Sequence, residues 1–270
     1  MEEFAKILFI NPYDHETGRK FILNKAMIPS FYLSIVYVIV IFSLKFIMKN
    51  RKPFELSRSL ELWNAWLAIF SVIGSVISSR ALYTVIVNEG VVASYTRIGS
   101  FFTGASGYMS WLFCLSKILE LGDTIFLVLR KKPLIFLHWY HHVLTLNYGM
   151  ISLGEGAAYN TWIIWLNFSV HAIMYSYYLL RSLGVRVPAA IAKNITNMQI
   201  AQFLITLVIL CHCGIIMLSG GRVDTTIHTY FICLLMEISY VILFANFFYQ
   251  SYVKGGGKKF ISEKKQEKSS

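Results

Sequence analysis

Three histidines stand at i, i+3 and i+4 in the stretch His138-Trp139-Tyr140-His141-His142. A helix turns once every ~3.6 residues, so this spacing gathers the three imidazoles on one face. Imidazole can exchange a proton near neutrality, ligate a metal or attack a carbonyl carbon. The stretch lies in an otherwise apolar run from Leu134 to Ser152, just after Arg130-Lys131-Lys132. Ionisable groups are costly in such a run and mark a functional site by default. One histidine would serve as a polar packing contact, but three on one face make that the minority reading.

Further groups repeat the pattern. Lys117, Glu120, Asp123 and Thr124 sit in the apolar run before the histidines. After them, Asn167, His171, Met174, Tyr175 and Tyr178 form one helical stripe, and Thr196, Gln199 and Gln202 share another face.

The elements that position these groups are membrane spans. Hydrophobic residues make up 56% of the 270-residue chain, charged residues only 14%, and the mean hydropathy is +0.56. These values point to an all-α polytopic membrane protein rather than a soluble domain. Apolar stretches predict seven transmembrane helices at about 27–48, 62–83, 108–129, 134–152, 159–180, 196–218 and 227–250. The 84–106 connection, rich in glycine and serine, reads as a re-entrant or interfacial piece. Residues 1–26 read as a lumenal segment without a cleavable signal, 27–250 as the membrane catalytic domain, and 251–270 as a disordered, basic cytosolic tail.

Loop charges support seven spans. Lys49, Arg51, Lys52 and Arg58, then Arg130, Lys131 and Lys132, then Arg181, Arg186 and Lys193, fall in alternate loops on the same side as the lysine-rich tail. The other side has only Arg97 and Arg222 outside the charge-balanced N-terminus. The positive-inside rule then puts the N-terminus in the lumen and the C-terminus in the cytosol. Topology accounts for most of the net charge of +11, so nucleic acid is not an expected partner. Asn194-Ile195-Thr196 matches a glycosylation sequon but falls on the cytosolic side.

Depth follows from a rise of ~1.5 Å per residue: Glu120, His141 and His171 all lie ~12–15 Å from the cytosolic ends of their helices. This alignment predicts a polar chamber open to the cytosol and closed above by apolar residues. Such a shape suits a charged head with an apolar tail, as in fatty acyl-CoA. Arg130, Lys131 and Lys193 are placed to meet the CoA phosphates.

Two chemistries fit. Histidines at helical spacing could ligate a metal, as in the histidine boxes of membrane desaturases and hydroxylases. Only His138, His141, His142 and His171 share the chamber, however, too few for the usual di-iron set, so no metal is expected. The second chemistry is nucleophilic. Cys114 is ~24 Å from the cytosolic end of its helix, and Cys211, Cys213 and Cys233 are comparably far, so no thiol is expected in the chamber. A neutral imidazole is left to hold an acyl group, with Glu120 or Asp123 to orient it.

Taken together, the motifs resemble the fatty-acid elongase family, the membrane 3-oxoacyl-CoA synthases. Its KxxExxDT block matches Lys117, Glu120, Asp123 and Thr124, and its HxxHH box matches His138, His141 and His142. NxxxHxxMYxYY matches Asn167, His171, Met174, Tyr175, Tyr177 and Tyr178, and TxxQxxQ matches Thr196, Gln199 and Gln202. The resemblance implies six helices enclosing an acyl tunnel as two inverted three-helix units, with one helix outside. It implies condensation of acyl-CoA with malonyl-CoA, without a cofactor, in the endoplasmic reticulum membrane. The tail ends Glu267-Lys268-Ser269-Ser270 and lacks the strict dilysine retrieval pair.

His141 is the expected nucleophile, with His171 and Asn167 polarising carbonyl oxygens and His138 and His142 moving protons or orienting. Lys117, Glu120, Asp123 and Thr124 form a supporting network. Tyr175, Tyr178, Gln199 and Gln202 contact substrate or tie helices together. The HWYHH form resembles the branch acting on saturated and monounsaturated palmitate-like chains, whose relatives also include elongases of polyunsaturated chains. Expected partners are the bilayer and the reductases and dehydratase of the elongation cycle, with a homodimer left open. The competing functional class is a histidine-box, metal-dependent lipid oxidase or desaturase. Glu237 lies outside every block, near mid-membrane.

Overall fold

The computed structural model describes Phe4, Ile7 and residues 13–254. Most of the basic tail lies outside the described residues. Among the described residues, seven long helices carry the fold: α1 His15–Met48, α2 Ser57–Glu89, α3 Gly104–Leu129, α4 Phe136–Glu155, α5 Asn160–Ser182, α6 Ala189–Leu218 and α7 Ile227–Lys254. There is no strand among the described residues. Five of the helices (α1, α2, α5, α6 and α7) are long and apolar enough to cross a membrane by length and composition. The other two, α3 and α4, carry the charged and histidine blocks.

Boundaries differ from the apolar runs wherever helix chemistry extends past hydrocarbon. The first helix begins at His15, twelve residues before the expected span, because Asp14 caps it by accepting from the Glu16 and Thr17 amides at 3.2 Å. It continues through a π-helical turn at Ile22–Ala26 into Met27–Met48. Likewise α6 starts at Ala189, directly after Pro188, so Lys193 lies within a helix rather than a loop. The 84–106 connection begins as the end of α2. A single turn at Ala93–Thr96 and a 3₁₀ turn at Ser100–Phe102 follow, with Phe101 and Phe102 buried. This segment closes the end of the bundle remote from the basic loops: Asp224 N–H donates to the Thr96 carbonyl at 2.8 Å, and Trp162 Nε1 donates to Ser94 Oγ at 2.9 Å.

The helices close into a ring. α2 packs on α3 and α5, α3 on α4, α4 on α7, α7 on α6, and α6 on α5, while α1 lies outside against α3 and α4. Exchanging α2–α4 with α5–α7 maps this neighbour pattern onto itself, as paired three-helix units require. The tightest seam is α2 on α5. Gly74 lies so close to the Phe168 ring that an added Cβ would sit 2.3 Å from it. Ser75 and Ser169 hydroxyls meet at 3.1 Å, and Trp165 Nε1 donates to Ser79 Oγ at 2.8 Å. Small residues bring backbones together where lipid offers no hydrophobic drive. Gly156, at φ 78°, ends α4 and turns the chain into α5.

The distribution of polarity is that of a membrane bundle. Phe31, Ile39, Phe46, Leu62, Ile69, Val76, Leu235 and Ile242 face outward, while Lys117, Glu120, His142, Asn167, His171, Gln202 and Glu237 are buried.

Candidate active site

The charged residues of α3 are all engaged. Lys117 Nζ donates to Glu120 Oε1 at 2.8 Å and Oε2 at 3.1 Å, and to Asn167 Oδ1 on α5 at 3.0 Å. It also lies 4.1 Å above the Phe113 ring, and Ser116 Oγ donates to Glu120 Oε1 at 3.0 Å. One turn nearer the basic loops, Asp123 accepts from Trp63 Nε1 of α2 at 2.5 Å and from the Tyr175 hydroxyl of α5 at 2.7 Å. Thr124 Oγ1 meets the Tyr37 hydroxyl of α1 at 2.6 Å and His138 Nε2 at 3.0 Å. The carboxylates therefore do not orient the histidines. Thr124 holds His138, Glu120 holds the Lys117 ammonium that reaches Asn167 on α5, and Asp123 ties α3 to α2 and α5.

The α4 histidines do converge, with ring centroids 4.7 Å apart for His138 and His142 and 5.5 Å for His141 and His142. Their surroundings separate them. His138 faces α3 through Thr124. His141 faces α7, 5.1 Å from the Tyr240 ring and 6.1 Å from the Phe244 ring. Among the described residues, no hydrogen bond is made to either nitrogen of the His141 ring. On α5, buried His171 packs edge-on against Tyr175 at 5.3 Å and is within electrostatic reach of His141, Lys117 and Glu120.

Shared helical faces do not make shared roles for the remaining candidates. Tyr175 is buried, whereas Tyr178 is exposed. Gln199 Nε2 contacts Met174 Sδ at 3.3 Å, while Gln202 turns into the ring interior, its Oε1 buried without a hydrogen-bond partner among the described residues. Thr196 bonds the Ala192 carbonyl at 3.2 Å. Lys131 sits at φ 54°, and its ammonium donates to the Lys49 and Arg51 carbonyls at 3.1 and 3.0 Å, which anchors the α1–α2 loop. Lys193 lies 5.6 Å from the Phe248 ring centroid, and Arg130 ends α3.

A narrow cavity of about 50 Å³ runs inside the ring, lined from α3 to α7. At the end nearer the basic loops its walls include Lys117, His141, Asn167, Gln202 and Tyr240. It reaches Ser152 and Asn160 at the far end, three turns along α4 from His141, about 16 Å. There the Tyr148 hydroxyl donates to Asn160 Oδ1 at 3.0 Å. A space this small admits only water-sized guests as it stands. The expectation of no thiol needs correction: Cys114 lines the same cavity, donating to the Gly149 carbonyl at 3.3 Å. Gly149 lies two turns beyond His141, about 12 Å further in, so thiol and imidazole occupy different depths. Trp63, Tyr37, Ser116 and Tyr240 were missed because each lies outside the polar blocks on a helix whose rotation its own sequence leaves free.

The GNS1/SUR4 (ELO) family profile matches residues 22–260. The chain belongs to the fatty-acid elongase family. It is 46% identical over 242 residues to long chain fatty acid elongase 1 of Caenorhabditis elegans, covering 89% of this chain and 84% of that protein. Identity to very long chain fatty acid elongase 6 of Drosophila melanogaster is 38% over 266 residues, 93% of this chain and 80% of the relative. To human very long chain fatty acid elongase 3 it is 35% over 245 residues, 90% of each. This elongase is thus a multi-pass membrane protein and a condensing enzyme of fatty-acid elongation that takes acyl-CoA. The competing oxidase reading falls away with family membership.

Proposed function

We propose that this elongase joins long-chain acyl-CoA to malonyl-CoA, giving 3-oxoacyl-CoA, CoA and carbon dioxide through an acyl-imidazole on His141, as a very-long-chain 3-oxoacyl-CoA synthase. The observation that carries the reading is His141 itself: it lines the cavity beside Asn167 and Gln202, with no hydrogen bond to its ring among the described residues. An imidazole nitrogen not committed to a structural bond is available to attack. The chain enters tail first. A ring nitrogen of His141 bonds the thioester carbon, the C–S bond breaks, and CoA leaves as a thiolate. Malonyl-CoA then binds and loses carbon dioxide, and the released electron pair forms an enolate. The enolate carbon bonds the acyl carbon as the C–N bond to imidazole breaks.

Asn167 supports both oxyanions. Lys117 donates to its Oδ1, which leaves the amide NH₂ to point donors at developing negative charge in the cavity. His171 assists in polarisation, and His142 is the nearest imidazole for proton transfer. The reaction needs no cofactor beyond its two CoA substrates. Palmitate-like saturated or monounsaturated chains are the proposed substrates. The endoplasmic reticulum is the proposed membrane, with the N-terminus lumenal and the basic end of the bundle cytosolic, and the reductases and dehydratase of the cycle as partners.

Incubating the purified protein with acyl-CoA alone and measuring intact mass tests the scheme. An adduct of acyl mass with release of CoA, absent from His141→Ala and kept by Cys114→Ser, is the expected result. Extension on adding malonyl-CoA, with no adduct beforehand, would replace it with condensation in a ternary complex.

A further inference from the structure

Glu237 is a charged-type side chain that the proposed chemistry does not use, and it faces the space where the acyl chain must lie. It is 2% exposed, lines the cavity, and its Oε2 is buried with no hydrogen-bond partner among the described residues. Gln202 Oε1, on the same cavity, is in the same condition. Buried polar oxygens are almost always satisfied, because one left unpaired loses its hydration without replacement. A plain hydrocarbon passing Glu237 would seal that loss in.

Position narrows what would satisfy it. The Tyr240 hydroxyl donates to the His141 carbonyl oxygen at 3.3 Å, which sets the two side by side. Glu237 precedes Tyr240 by one turn of α7, so it stands about 5 Å further from the basic end, past the loading imidazole along the chain's path. Tyr240 is committed to that carbonyl and Tyr148 to Asn160, so neither hydroxyl turns to the carboxyl.

We infer that Glu237, with Gln202 beside the loading site, forms a hydrogen-bonding station inside the tunnel for acyl chains that carry a hydroxyl group in their carboxyl-proximal part. A hydroxyl both donates and accepts, so it pairs with this carboxyl in either protonation state. Glu237 is a specificity-determining residue: it favours hydroxylated acyl-CoA over the plain chain of equal length. This rests on the elongase reading with His141 as the loading group.

The test is competition on the full-length protein in detergent. Palmitoyl-CoA competes with counterparts bearing one hydroxyl near the carboxyl end, at mid-chain or at the methyl end, with malonyl-CoA present. The wild type should extend the carboxyl-proximal hydroxylated chain with a kcat/KM roughly tenfold or more above palmitoyl. Glu237→Met, apolar and of similar length, should bring that ratio to about one, and Glu237→Gln, which keeps a donor and an acceptor, should retain it. If the wild type extends palmitoyl as well as every hydroxylated chain, water alone serves the carboxyl and the inference is wrong. A preference that survives Glu237→Met, or one for the methyl-end hydroxyl, overturns it equally. Should Glu237→Met not fold, the wild-type ratio and Glu237→Gln still decide. Absence of extension with any chain, palmitoyl included, would strike the elongase reading instead.

Discussion

Two neighbouring helices carry comparable loads of ionisable residues and treat them differently. On α3, Lys117, Glu120 and Asp123 are matched to partners on their own helix, on α2 and on α5. On α4, His138 is held by Thr124, while His141, one turn further in, has no hydrogen bond to its ring among the described residues. Groups bound on every side cannot change partners during a reaction without unmaking the fold. The α3 block is therefore the clamp that sets α2, α3 and α5 around the cavity, and the α4 block holds the uncommitted imidazole that is the proposed nucleophile. Substitutions that break the clamp should move stability, and those that remove the free imidazole should move rate alone.

His141→Ala should give the largest effect, a loss of extension of roughly 10⁴-fold or more with an unchanged unfolding temperature. Product formation within tenfold of wild type would remove it from the chemistry. Lys117→Met should destabilise by about 3–5 kcal/mol, because it strands the Glu120 carboxylate in the apolar interior. Lys117→Met combined with Glu120→Leu should recover much of that loss in thermal unfolding. Recovery of folding without recovery of rate would separate the clamp from the positioning of Asn167.

Tyr175→Phe, which deletes one of the two donors to Asp123, should cost about 1–3 kcal/mol and leave the His141 adduct intact. Thr124→Val is the smallest test. It cuts the link from Tyr37 to His138 and should lower stability by about 1 kcal/mol, with a change in kcat of only a few-fold. A collapse of activity in that variant would promote His138 from positioning to a direct part in proton transfer.

Spacing and depth in the sequence already brought much of the candidate site together. The i, i+3, i+4 histidines meet because a helix leaves them no alternative, and the apolar runs placed Glu120, His141 and His171 at one level. The same logic overreached where it assumed that residues on one face share one task. Thr196 bonds a backbone carbonyl and Gln199 a methionine sulfur, while the Gln202 Oε1 has no hydrogen-bond partner among the described residues. Lys131 looked like a phosphate ligand by charge and location, yet its reach is spent on the carbonyls of the α1–α2 loop. By length and composition α3 and α4 are less apolar than the other five helices, because Lys117, Glu120, Asp123 and the α4 histidines lie in them, and the alternation of loop charges is what reads them as spans.

What the chain determines by itself is local and periodic: which segments are helical and apolar, which faces carry imidazole, carboxylate and amide, and how deep each lies. These follow from the helical repeat and the cost of polar groups in hydrocarbon. Only the packed ring decides how each helix is rotated, and so whether a side chain meets a partner or the cavity. That choice put Trp63 and Tyr175 on Asp123, Cys114 and Glu237 on the cavity wall, and the His141 ring beside Tyr240. Rotation is set by contacts between residues far apart in sequence, which no periodicity within one segment encodes.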